Sequence, residues 1–193
     1  MAGRLNLCLV KTKKTSLQSL GGNVRKVAII VILLGLFSLS AAAADYPKAE
    51  IFGGYQFTRL EGGVNANGFN VAVNGNFSEW FGITGDIGAA FKSEGGVNFS
   101  NYTYTFGPVL SLRANKSYTP FVHALVGGDH ASASGFGSGT GNGMALMAGG
   151  GVDVNFNKIM AFRIAQADWM LVHGNGGTSS KNFRYSAGLV LKF

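Results

Sequence analysis

Cysteine is nearly absent from this chain of 193 residues. The one cysteine, Cys8, lies ahead of an apolar run, so it can neither form an internal disulfide nor act as a lipidation cysteine behind an export signal. Acidic residues are also few: there are nine, and none precedes Asp45. Six of the sixteen Lys and Arg residues do precede it, so the formal +7 divides into +6 before Asp45 and +1 from there on. A basic chain ordinarily raises the question of nucleic-acid binding. Here the excess sits in a segment predicted to be removed, and no nucleic-acid partner is expected. A membrane-spanning helix is lacking too. The apolar run Val27 to Leu39 meets small residues before reaching the ~20 residues needed to cross hydrocarbon.

What the first segment does contain is a leader. Arg25-Lys26 precedes the run Val27 to Leu39, and Ala41-Ala42-Ala43-Ala44-Asp45 follows it. A basic stretch, a short apolar core and small residues in an A-x-A arrangement predict a cleaved signal peptide over residues 1–44. Ala42 and Ala44 both precede the expected cut, which falls after Ala44, and Asp45 is expected to begin the mature chain. The stretch before Val24 is long for such a leader, and a translation start near Val24 would give one of ordinary length.

The remaining 149 residues hold all three prolines and twenty-six of the thirty glycines. They show no long helical period. Segments of the length of a tilted membrane strand alternate apolar and polar instead, with turn signals between them. In Gly68 to Ser78, Phe69, Val71, Val73 and Phe77 share one parity, and Asn70, Ala72, Asn74 and Asn76 share the other. In a strand these two sets face opposite sides of the sheet. The same alternation recurs around Ile51–Thr58, Phe81–Phe91, Tyr102–Arg113, Met144–Phe156 and Phe183–Phe193, with Phe52 an apolar exception on a polar face. Thr119–Asp129 carries His123 opposite Val122, Ala124 and Val126. Ile159–Leu171 places Arg163 and Asp168 on opposite parities, which predicts a bulge between them.

Eight strands result, and their connections alternate in length. Short turns fall near Ser78-Glu79-Trp80, Ala114 to Ser117 and Asn157-Lys158. Longer polar loops fall near Glu61–Asn67, Lys92–Ser100, His130–Gly143 and His173–Asn182. A β-sandwich has no reason to sort its connections in this way. Outer-membrane barrels do, with short periplasmic turns and long external loops. Aromatics gather near both strand ends, where membrane interfaces favour them. The predicted class is all-β: a closed antiparallel transmembrane barrel spanning residues 45–193.

The mature chain resembles the small outer-membrane protein A-type barrels of the outer membrane β-barrel domain family, from Ala49 to Phe193. The most specific element is its end, Ser186-Ala187-Gly188-Leu189-Val190-Leu191-Lys192-Phe193. Ser186, Gly188, Leu191 and Phe193 match the polar, glycine, hydrophobic and terminal aromatic positions of that family's assembly signal. The resemblance implies recognition by the barrel-assembly machinery, a place in the outer membrane among its lipids and lipopolysaccharide, and a monomer. With Phe193 last, no wall-binding domain is expected.

Little in the chain points to chemistry. The run Gly135 to Gly143 has glycine at every second position, yet a phosphate cradle needs a strand before it and a helix after. His130-Ala131-Ser132 is superficially similar to the His-x-Ser of lipid A deacylase barrels. That motif belongs near the C-terminus with an acid following, not in a third external loop. A serine nucleophile needs a base in reach and a group orienting that base, and neither is indicated. A metal site from His123, His130 and His173 is weaker still. No catalytic residue, metal or cofactor is expected.

The inward parities carry Glu50, Asp86, Asp153 and Asp168 with Arg113, Arg163, Arg184 and Lys192. Unpaired buried charge is costly, so these are expected to pair and close a lumen too narrow for more than its own side chains. The expected role is structural, adhesive or surface-interacting. A lipid A-modifying or lipase-like enzyme and a narrow channel are the alternatives.

Overall fold

The computed structural model describes residues 46–135, 138–174 and 176–193. The predicted leader and its cleavage site at Ala42, Ala44 and Asp45 lie outside the described residues. The chain forms eight strands: β1 (Ala49–Arg59), β2 (Asn65–Asn76), β3 (Phe81–Glu94), β4 (Val97–Ser111), β5 (Tyr118–Ser134), β6 (Gly139–Asn155), β7 (Met160–Gly174) and β8 (Gly177–Lys192). Each strand pairs antiparallel with its neighbour in sequence, and β1 pairs with β8 to close the barrel. Closure matters because backbone groups at an open edge would have no water to satisfy them in lipid.

The alternation read from the sequence decides which side chains enter the lumen. Asn70, Asn74, Thr84, Asp86, Thr103, Thr105, Gln166 and Ser186 are buried inside. Phe69, Val71, Ile83, Ile87, Tyr104 and Phe106 stand exposed outside. The register shifts expected of a bulge occur on β7. Val152 pairs with Ala165 but Asp153 with Arg163, so Ile164 is the extra residue and projects outward. That insertion brings both Arg163 and Asp168 to the inner face, as opposite parities require.

The long outer connections are built differently from loops. Lys92–Ser100 is a hairpin whose ladder runs to Glu94↔Val97, turning through Gly95 and Gly96 at φ 59° and 79°. Two successive positive φ values define a type I′ turn, whose twist suits a hairpin. His130–Ala133 likewise pairs with Gly139–Asn142 and continues the β5–β6 ladder. Polarity marks loops only where the backbone must face water. Above the membrane a strand can be polar on both faces, and the composition of these stretches reads as loop.

On the outer wall the apolar band stops abruptly. The last lipid-facing side chains include Phe57, Phe69, Phe91, Tyr102, Met144 and Phe183. The next outward positions on the same strands are Arg59, Asn67, Ser93, Ser100, Asn142 and Lys181. This ring locates the outer edge of the hydrocarbon. Strands of 17 residues, as in β5 and β6, run about 56 Å at ~3.3 Å per residue. An apolar band about 25 Å tall needs far less, so the β5–β6 hairpin stands well clear of it.

Candidate functional site

The lumen holds the densest chemistry. Its base is set by Glu50 on β1, whose Oε2 accepts from Arg113 Nη2 at 3.2 Å and from Asn74 Nδ2 at 3.4 Å. Lys192, opposite Glu50 in the β1–β8 register, donates to Asn155 Oδ1 and makes no ion pair with a carboxylate among the described residues. One layer up, Arg163 binds Asp153 through two nitrogens, at 2.8 and 3.1 Å. The Arg163 guanidinium lies between two rings, 4.5 Å from the Phe52 centroid and 4.1 Å from that of Phe121. Phe52, anomalous in the alternation, is therefore a packing surface for a buried cation.

The middle layer is shared. Arg184, 1% exposed, donates to Asp86 Oδ1 at 2.6 Å and through Nε to Asp168 Oδ2 at 2.8 Å. Asp168 also contacts His123 Nε2 at 2.8 Å and accepts from Gln166 Nε2 at 2.8 Å. Gln166 Oε1 in turn accepts from Arg163 Nη1 at 2.8 Å, which joins the middle layer to the one below. The structure thus brings together all eight charged residues singled out in the sequence, though not as four pairs. Arg184 takes two carboxylates, Lys192 takes none, and His123 becomes a member. Sequence gave no partner for His123 because the contact joins β5 to β7 across β6.

Glycine makes room for this layer. A Cβ on Gly88 would come within 2.8 Å of Thr103 Oγ1 and 3.2 Å of Arg184 Nη1. At the seam, a Cβ on Gly188 would fall on Gly53 O and Gly54 Cα. Glycine at position 188 is therefore required by close approach of β8 to β1. Ser186 is fully buried, and Leu191 and Phe193 face outward. Phe193 completes the seam: its N–H donates to Ala49 O at 2.8 Å, and its carbonyl accepts from Lys48 N and Ala49 N.

The outer polar residues do not converge as a hydrolase would need. Ser132 Oγ lies 2.8 Å from Ser100 Oγ, His130 Nδ1 is 2.6 Å from Asn142 Oδ1, and His173 Nδ1 is 2.7 Å from Thr178 Oγ1. Asp129 turns inward, with Oδ2 accepting from Asn101 Nδ2 at 2.6 Å. No group of three or more metal-ligating side chains occurs among the described residues. Outside the wall, Glu61 ties the β1–β2 turn to β8, accepting from Ser180 N at 3.1 Å while its own N–H donates to Asn182 Oδ1 at 2.8 Å. Hydrogen bonding from Ser179 holds its carboxyl below the usual range.

A polar, charge-filled lumen inside an apolar wall with aromatic rims defines a transmembrane β-barrel protein. The chain belongs to the outer membrane protein beta-barrel domain family, which it matches over residues 29–193, and its place is the bacterial outer membrane. No curated protein matches it by sequence. Among solved structures it is similar to Ail, the attachment invasion locus protein of Yersinia pestis, at 21% identity, covering 77% of this chain and 99% of that one, with a TM-score of 0.57. Neisserial surface protein A aligns at 13% identity over 75% of this chain and 96% of its own, with a TM-score of 0.61. OprG from Pseudomonas aeruginosa aligns at 11% identity over 77% and 96%, with a TM-score of 0.53.

Proposed function

We propose that this protein is a non-enzymatic, closed outer-membrane barrel that acts at the cell surface through its outer hairpins, in a structural or adhesive role. The observation that carries this reading is the division of the molecule. Every strand but β1 is longer than the ~9–11 residues a membrane strand needs, and the surplus is polar strand above the lipid-facing ring. The layers at Glu50, Arg163 and Arg184 meanwhile occupy the lumen with paired, hydrogen-bonded side chains. Separate partners for Ser132, His130 and His173 support the absence of a hydrolytic site. The mature protein begins at Asp45, works as a monomer among outer-membrane lipid and lipopolysaccharide, and reaches the membrane as a client of the barrel-assembly machinery.

Two measurements test this. In planar bilayers the purified barrel is expected to give no large, steady conductance steps, and porin-sized steps would make the protein a channel. For the surface role, residues 132–140 are replaced by an Asn-Gly turn joining the paired Ala131 and Gly141. Cells displaying this variant are expected to keep the heat-modifiable barrel and to lose adherence to epithelial surfaces. Adherence equal to that conferred by the full chain, or none from either protein, would remove the adhesive reading.

A further inference from the structure

At the outer mouth, the outer ends of β5 to β8 border an open cavity of about 490 Å³. Asp129 lines it together with Thr140, Thr178 and Ser179, and with bare backbone at Gly141 and Gly143. The lining carries one carboxylate and no aromatic side chain.

Asp129 differs from every other buried carboxylate in the barrel. Glu50, Asp86, Asp153 and Asp168 each contact an arginine. Asp129 is also buried, 6% exposed, yet it takes part in no ion pair among the described residues. Asn101 occupies one of its oxygens and leaves the other without a side-chain partner there. The neighbouring His130 lies on the opposite face of β5 and is engaged by Asn142. A buried charge without its counter-ion is unfavourable, and here the missing partner has an open cavity through which to arrive.

We propose that the outer mouth is a cation site for a small organic amine, with Asp129 as its anionic anchor. The chemistry of the wall selects among cations. Calcium takes six to eight oxygen ligands, commonly several of them carboxylates, and this cavity supplies one carboxylate. An ammonium group brings three donors and no acceptor, so a single carboxylate oxygen can anchor it while the open side of the cavity leaves its remaining donors to water. The cavity lies within the ~300–1,000 Å³ span of small-molecule sites, large enough for a linear polyamine. This inference is independent of the adhesive role, which rests on the hairpin surfaces.

The experiment titrates spermidine, calcium chloride and glucose into the purified full-length mature barrel in a zwitterionic detergent, followed by calorimetry. Saturable one-to-one binding of spermidine is expected, with none of glucose and much weaker binding of calcium. Asp129→Asn keeps the shape and the Asn101 contact and is expected to weaken spermidine at least tenfold. Gly141→Phe offers a second route, since a Cβ there meets nothing within 4 Å and the added ring is expected to obstruct the mouth. It too is expected to abolish binding, with heat-modifiability retained in both variants. Unchanged spermidine affinity in Asp129→Asn, calcium bound more tightly than spermidine, or no binding to the parent barrel would each overturn the proposal. The last is what an Asp129 that is simply protonated predicts.

Discussion

Deleting Phe193 is expected to reduce the folded, heat-modifiable protein in outer membranes to a small fraction of its normal level, while the purified chain still refolds in detergent. Two effects must be separated to interpret that loss. Phe193 makes three backbone hydrogen bonds that continue the β1–β8 seam to its inner end. Each contributes roughly 1 kcal/mol net, so deletion weakens the seam in any environment. The ring, exposed on the lipid side at the inner rim, adds interfacial packing of its own. Phe193→Ala keeps the backbone bonds and removes the ring alone. A recognition role predicts that this variant assembles as poorly in cells as the deletion, yet refolds in detergent almost as well as the parent. Normal assembly of both variants in cells would refute recognition, and equal losses in cells and in detergent would assign the effect to stability. Gly188 cannot serve as the test residue, because a Cβ there collides with β1 in the closed barrel itself.

The second large effect is expected at Arg184. Its guanidinium is the only cation contacting Asp86 among the described residues and the chief one contacting Asp168. Arg184→Met removes it and leaves two carboxylates in a layer sealed from solvent. Removing one partner of a buried ion pair costs about 3–5 kcal/mol, because the remaining charge is uncompensated. A loss of that order is expected in urea unfolding of the refolded barrel. The companion variant Arg184→Met/Asp86→Asn/Asp168→Asn removes the stranded charges and is expected to recover most of the stability. If the triple variant is no better than the single one, the loss arises from packing around Gly88 and Thr103 instead of from charge. If Arg184→Met costs under about 1 kcal/mol, the layer is hydrated and the lumen is more open than its hydrogen bonds imply.

Much of this architecture is legible in the residue order, and the reason is the medium. A strand in a barrel wall has lipid on one side and a narrow polar lumen on the other, so a period of two is imposed on nearly every residue. That is why the sequence alone sets Phe69, Val71 and Val73 against Asn70, Ala72 and Asn74, and why a parity conflict between Arg163 and Asp168 marks a bulge. The eight inward charges follow from the same rule. Which charge meets which does not. Asp86 and Arg184 lie 98 residues apart, and they meet only because the barrel closes and Gly88 leaves space. His123 reaches Asp168 across an intervening strand, and Phe52 is explained by a guanidinium from β7. The outer hairpins were obscured for a different reason: above the membrane the two faces of a strand meet the same solvent, and the period that identifies strands is lost. Asp129, one polar residue among many in the sequence, is set apart only by the tertiary structure, which buries its carboxylate, leaves it without a cation among the described residues and opens a cavity beside it.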